Sequence, residues 1–146
     1  MQIVVSFKNK FAEEVGKHGP GFRTVFTDDL ELVSIDGHSA QKQPAGTHSG
    51  VVTTLTIVDK ANSSLPKGSI VFQYEGTYLF NAVAATPPSP MLAKGKVVAR
   101  SVFVMRNGQS LEAPTSAIVG GTEAYKNAHG QVTEPSKDRK QLDISL

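Results

Sequence analysis

Cysteine is absent from this 146-residue chain. That absence excludes disulfide staples, thiolate nucleophiles and cysteine-ligated metals, and it removes the usual marker of redox compartment. Long apolar runs are missing as well. No stretch approaches the roughly 20 apolar residues of a membrane-spanning helix. The opening Met1-Gln-Ile-Val-Val5 is too short for the hydrophobic core of a signal, so the expectation is a cytoplasmic chain with no membrane span. Neither sign of charge dominates: 15 Lys and Arg stand against 13 Asp and Glu, a formal charge of +2, with the signs interspersed. A nucleic-acid partner, which leaves a clustered basic footprint, is therefore not expected. The four histidines form no i, i+2 or i, i+4 pair, so neither a metal nor another cofactor is expected.

What the chain does have is β-branched residues in short runs separated by turn residues. The length suits one domain, taken as residues 1–146, with a core large enough to need no staples. Gln2 to Phe7 is an opening strand, Phe11 to Lys17 a single helical turn, and Gly16-Lys-His-Gly-Pro-Gly21 a decisive break before the strand Phe22 to Phe26. Asp28-Asp29 invites a paired-carboxylate reading, but adjacent residues on a strand face opposite ways, and the pair is read as a turn before Leu30 to Ile35. Asp36 to Pro44 is read as a polar loop. Thr47 to Val58 alternates threonine with aliphatics, a long strand.

Ser69 to Phe80 carries the most informative pattern. One parity holds Ile70, Phe72, Tyr74, Gly76, Tyr78 and Phe80, an aromatic line broken by a glycine. In a small barrel such a line either fills the interior or walls a pocket for an apolar ligand, with tyrosine hydroxyls to orient it. Thr86-Pro-Pro-Ser-Pro90 has to be a loop, because proline lacks the amide donor a sheet needs, and its length suits a lid over a barrel mouth. Lys94 to Met105 is a third long strand, in which Arg100 shares a parity with Val98, Val102 and Val104. An arginine on an aliphatic face needs an acidic partner, an anion or a path to water. Arg106-Asn-Gly-Gln109 is an Asn-Gly hairpin, the chain returns from Pro114 to Val119, and Lys140 to Leu146 closes it.

Positional constraint is densest from Ser116 to Val132. Gly120-Gly121 supplies positive-φ freedom for a reversal, and Thr122 to His129 form a compact turn with Tyr125 folded back as a plug. Gly120-Gly121-Thr122-Glu123-Ala124-Tyr125-Lys126-Asn127-Ala128-His129-Gly130 resembles the Gly-Gly-Thr/Ala-Gly-x-Tyr/Phe-x-x-Ala-x-Gly segment of the allene oxide cyclase and dirigent protein superfamily, with Glu123 in place of the third glycine. Ala45 to Val51 resembles the Val-Gly-x-x-x-Gly opening of that family's long strand, and Val97-Val-Ala-Arg-Ser101 its apolar, small, Arg strand.

The strand count and turn spacing argue an all-β chain, an eight-stranded antiparallel up-and-down β-barrel. The resemblance implies the same fold, with a lumen that holds a small hydrophobic molecule and copies assembled as a homo-oligomer, a dimer or trimer. It also implies a cyclase or isomerase working by conformational confinement, or alternatively a non-catalytic, dirigent-like carrier. The family's first-strand acid has no counterpart in Ile3 to Phe7, and Ser101 stands where dirigent proteins often carry an acid or asparagine. The candidate ligand wall is Phe72, Tyr74, Tyr78 and Arg100. The candidate catalytic groups are Arg100 as oxyanion contact, Tyr78, and His48 as acid or base, because imidazole titrates nearest neutrality.

Overall fold

A computed structural model describes residues 1–60, 65–83, 91–111 and 115–146. The strands run β1 (Gln2–Val15), β2 (Arg23–Ile35), β3 (His38–Ile57), β4 (Ile70–Phe80), β5 (Gly95–Arg106), β6 (Gln109–Ser110), β7 (Thr115–Glu123), β8 (His129–Ser136) and β9 (Arg139–Ser145). Each pairs antiparallel with its neighbour, β1 pairs with β9 and β4 with β5, so eight strands close into an up-and-down ring and β6 is a short flap on β5. The all-β fold read from the sequence is the one observed. Closure leaves each ring strand a partner on both sides for at least part of its length, which suits threonine- and valine-rich strands that would otherwise present edges. Among the described residues no helix is long and apolar enough to cross a membrane.

Three segments differ from their local reading, for one physical reason. Phe11 to Val15 continue β1 instead of forming a helical turn, because they pair with Thr27 to Arg23 of β2. Asp28 and Asp29 lie within β2, paired with His48 and Thr47. The polar segment from His38 to Pro44 is the first third of β3. Asp36 and Gly37 complete the reversal alone, with φ of 48° and 79°, as a two-residue turn of the primed kind does. In each segment a partner strand distant in sequence overrides weak local preference. Thr86 to Pro90, read as a lid, and Pro114 lie outside the described residues.

One end of the ring is a packed apolar core of Ile3, Val5, Leu30, Leu32, Phe80, Leu92, Leu142 and Ile144. Tyr125 closes it as the plug expected from the sequence: its ring is fully buried and its hydroxyl donates to Ala93 O at 2.9 Å. The reversal itself falls after Gly120-Gly121, which belong to β7. The left-handed positions are Glu123 (φ 57°) and Asn127 (φ 66°). Gly121 is needed for close approach: a Cβ there would overlap the carbonyl oxygens of Tyr125 and Lys96 and lie 2.8 Å from Tyr125 Cβ.

Candidate functional site

Sheet register builds the site. Asp28 pairs with His48, and His48 with Tyr78, placing three polar side chains in one inward row across β2, β3 and β4. The next inward row is Phe26, Gly50, Gly76 and Ala99, and the one beyond is Thr24, Val52, Tyr74 and Ser101. The middle row is nearly bare of side chains beyond Phe26. A Cβ on Gly76 would overlap the Tyr74 hydroxyl and lie 2.8 Å from His48 Nε2, so the glycine in the aromatic line is what lets Tyr74 lean back onto His48. Beyond these rows opens a cavity of about 370 Å³, walled by Phe7, Phe26, Val52, Tyr74, Phe103, Met105 and Val132. Asp28, His48, Tyr78, Ser101, Ser116, Glu134 and Lys140 supply its polar lining.

The polar row forms a hydrogen-bonded chain. His48 Nδ1 lies 3.2 Å from Asp28 Oδ2, and His48 Nε2 lies 2.7 Å from the Tyr74 hydroxyl oxygen. A carboxylate only accepts, so Nδ1 carries the proton, Nε2 accepts from Tyr74 O–H, and the Tyr74 oxygen accepts from Tyr78 O–H. Burial lowers the His48 pKa below its ordinary 6.5, against the opposing pull of Asp28, and the imidazole is neutral at pH 7. Burial pushes Tyr74 up to about 12 and Tyr78 well above the ordinary phenol value, so both remain protonated. His48 is clamped between rings, stacked on Tyr78 at 4.2 Å and on Phe7 at 5.2 Å between centroids. The arrangement is a hydrogen-bonded chain from a buried carboxylate to a phenol at a cavity wall, along which a proton can be passed.

Opposite this path, Lys140 and Glu134 form a half-buried ion pair on β9 and β8, and Ser116 Oγ donates to Ser101 Oγ at 3.1 Å. Among the described residues, no group of three His, Asp or Glu is arranged to hold a metal ion.

Of the sequence-derived candidates, His48, Tyr74 and Tyr78 converge on the lumen. Phe72 shares their inward parity but sits further along β4, stacked on Phe103 at 5.2 Å, one ring back from the cavity lining. Arg100 does not join them. Its parity turns it outward, its side chain is 57% exposed, and its Nε lies 2.8 Å from Glu75 Oε2. The oxyanion contact assigned to Arg100 is therefore corrected to an outer ion pair. Asp28 was missed, because an adjacent acid pair mimics a turn; strand parity alone separates it from Asp29, which turns outward and accepts from Asn9 Nδ2 at 2.8 Å. Lys140 and Glu134 carried no distinguishing local signal.

No family model matches the chain, and no curated protein matches it. Among solved structures, pyocyanin demethylase is similar in fold, with a TM-score of 0.54 and 22% identity over 99% of this chain and 98% of that one.

Proposed function

We propose that the lumen binds a small apolar molecule and that the Asp28–His48–Tyr74–Tyr78 chain moves a proton on it, making the protein an isomerase or cyclase of the allene oxide cyclase and dirigent barrel superfamily. One observation carries this reading: a buried, directional hydrogen-bond chain ends at a phenol on the wall of an aromatic cavity. A packing core has no use for such a chain. Burying an aspartate and a histidine is costly unless each is paired, and apolar side chains would fill the same space more cheaply. The fold shared with a protein named as a pyocyanin demethylase supports a barrel of this kind acting on a small organic molecule.

The chemistry follows from the proton inventory. As a substrate proton arrives at the Tyr74 oxygen, the Tyr74 proton passes to His48 Nε2, and Asp28 holds the resulting imidazolium. Return along the same path delivers a proton to a different substrate atom, so the product is an isomer of the substrate and no co-reactant is consumed. The cavity walls hold the substrate near its reactive geometry, which lowers the entropic barrier to ring closure. Tyr78, donating to Tyr74, favours the transient Tyr74 phenolate. The proposal also carries the expected dimer or trimer: Leu79, Val102 and Val119 expose apolar surface on the outer faces of β4, β5 and β7.

The test incubates a metabolite extract with wild type or Tyr74→Phe and follows it by chromatography with mass detection. Wild type is expected to convert a compound into a product of equal mass and new retention time, and Tyr74→Phe to leave it unchanged. A compound that binds and returns unaltered from wild type would overturn the catalytic reading in favour of a carrier.

A further inference from the structure

The rings beside the lumen fall into two stacks, Phe7–His48–Tyr78 with interplanar angles of 7° and 19° and Phe26–Tyr74 at 14°, and the stacks are inclined to each other, Phe26 lying at 48° and Tyr74 at 50° to His48. Aromatic faces and edges presented to a cavity of about 370 Å³ can meet a conjugated ring by stacking or edge to face. The faces of such rings are electron-rich and favour positive charge.

The charged lining points the same way. Two carboxylates, Asp28 and Glu134, stand against one ammonium, Lys140, among the described residues that line the cavity. Lys140 is committed to Glu134. Among the described residues Asp28 is hydrogen-bonded to the neutral His48 and in ion-pair contact with no lysine or arginine, so no direct contact cancels its charge. An entering carboxylate would lose its water and meet an excess of like charge, whereas a cation would meet both Asp28 and the ring faces.

We propose that the lumen selects compounds with an apolar conjugated ring system and no negative charge, a cationic substituent being favoured over a neutral one. This rests on reading the lumen as the ligand site.

The experiment uses three probes of one shape: anthracene bearing an aminomethyl, a hydroxymethyl or a carboxylate group on its central ring, titrated by fluorescence. With wild type the amine is expected to bind tightest, the alcohol next, and the carboxylate at least about tenfold more weakly than the amine. Asp28→Asn and Glu134→Gln should each narrow that spread, and the double variant, whose lining is then net positive, should reverse the order. Ser101→Trp, a plug in the cavity wall, should abolish binding of all three, with Ser101→Leu as a smaller plug should the tryptophan prevent folding by circular dichroism. Equal affinities, or a preference for the carboxylate, together with loss of binding on plugging, would overturn the charge selection and leave the lumen reading intact. An unreversed order in the double variant would overturn the assignment to Asp28 and Glu134. Binding that neither plug alters, or no binding of any probe, would overturn both readings.

Discussion

At position 76 one methyl group separates an intact hydrogen-bond chain from a broken one. Gly76→Ala would put its Cβ into the Tyr74 hydroxyl and within 2.8 Å of His48 Nε2, with β3 and β5 fixed on either side. Tyr74 has to swing away, so the expected outcome is destabilisation by about 1–3 kcal/mol in chemical denaturation, together with loss of the Tyr74–His48 bond seen as a changed His48 Nε2 resonance. His48 itself makes a pH prediction. Burial holds its folded pKa below the ordinary 6.5, so the unfolded chain binds the proton more readily. Its contribution to stability is therefore complete above the unfolded value and is lost as pH falls through the folded one. Melting temperature should drop more steeply below about pH 6.5 in wild type than in His48→Gln; parallel curves would contradict the assignment. The aromatic parity of β4 was legible because a strand alternates faces, which identified Tyr74, Tyr78 and the odd glycine. The function of that glycine was not legible, since the hydroxyl it admits reaches a residue on another strand.

Among the strands, β4 and β5 show how parity sorts structural from functional charge. Arg100 and Glu75 are paired cross-strand on the outer face, 57% and 46% exposed, where an ion pair is screened. Arg100→Ala is expected to change stability by less than about 1 kcal/mol, and to leave probe binding in the lumen unaltered. The loop between β7 and β8 behaves otherwise. Tyr125→Ala removes the plug of the apolar end and should cost about 3–5 kcal/mol. Tyr125→Phe keeps the ring and forfeits only the bond to Ala93 O, at about 1 kcal/mol. Both differences are read directly from denaturant midpoints. The Asn107-Gly108 turn was legible and adopts φ of 51° and 74°, as its sequence demands, whereas the Asp36-Gly37 turn was hidden in a polar stretch that reads as loop. The second half of β1 and the first third of β3 were illegible, because Phe11, Glu13, His38 and Gln43 become strand only through β2.

Over the whole molecule, the ring is staggered. β1 meets β9 only through Gln2 to Ser6 yet follows β2 along its full length to Val15, and this offset leaves the strands tall enough to enclose two compartments. The Asp28–His48–Tyr78 row is the floor between them, with apolar packing on one side and the cavity on the other. Alternation and turn spacing along the chain foretold closure; the division into a filled and an open half depends on register, which no local pattern encodes. On the proposed function the open half holds a molecule. Native mass spectrometry of freshly purified wild type and Ser101→Trp, followed by denaturing extraction, tests it most directly. A small ring compound is expected bound to wild type and absent from the plugged variant; a wild-type protein that stays empty after exposure to metabolite extract, or one whose bound compound survives the plug, would overturn the reading of the open half as a ligand site.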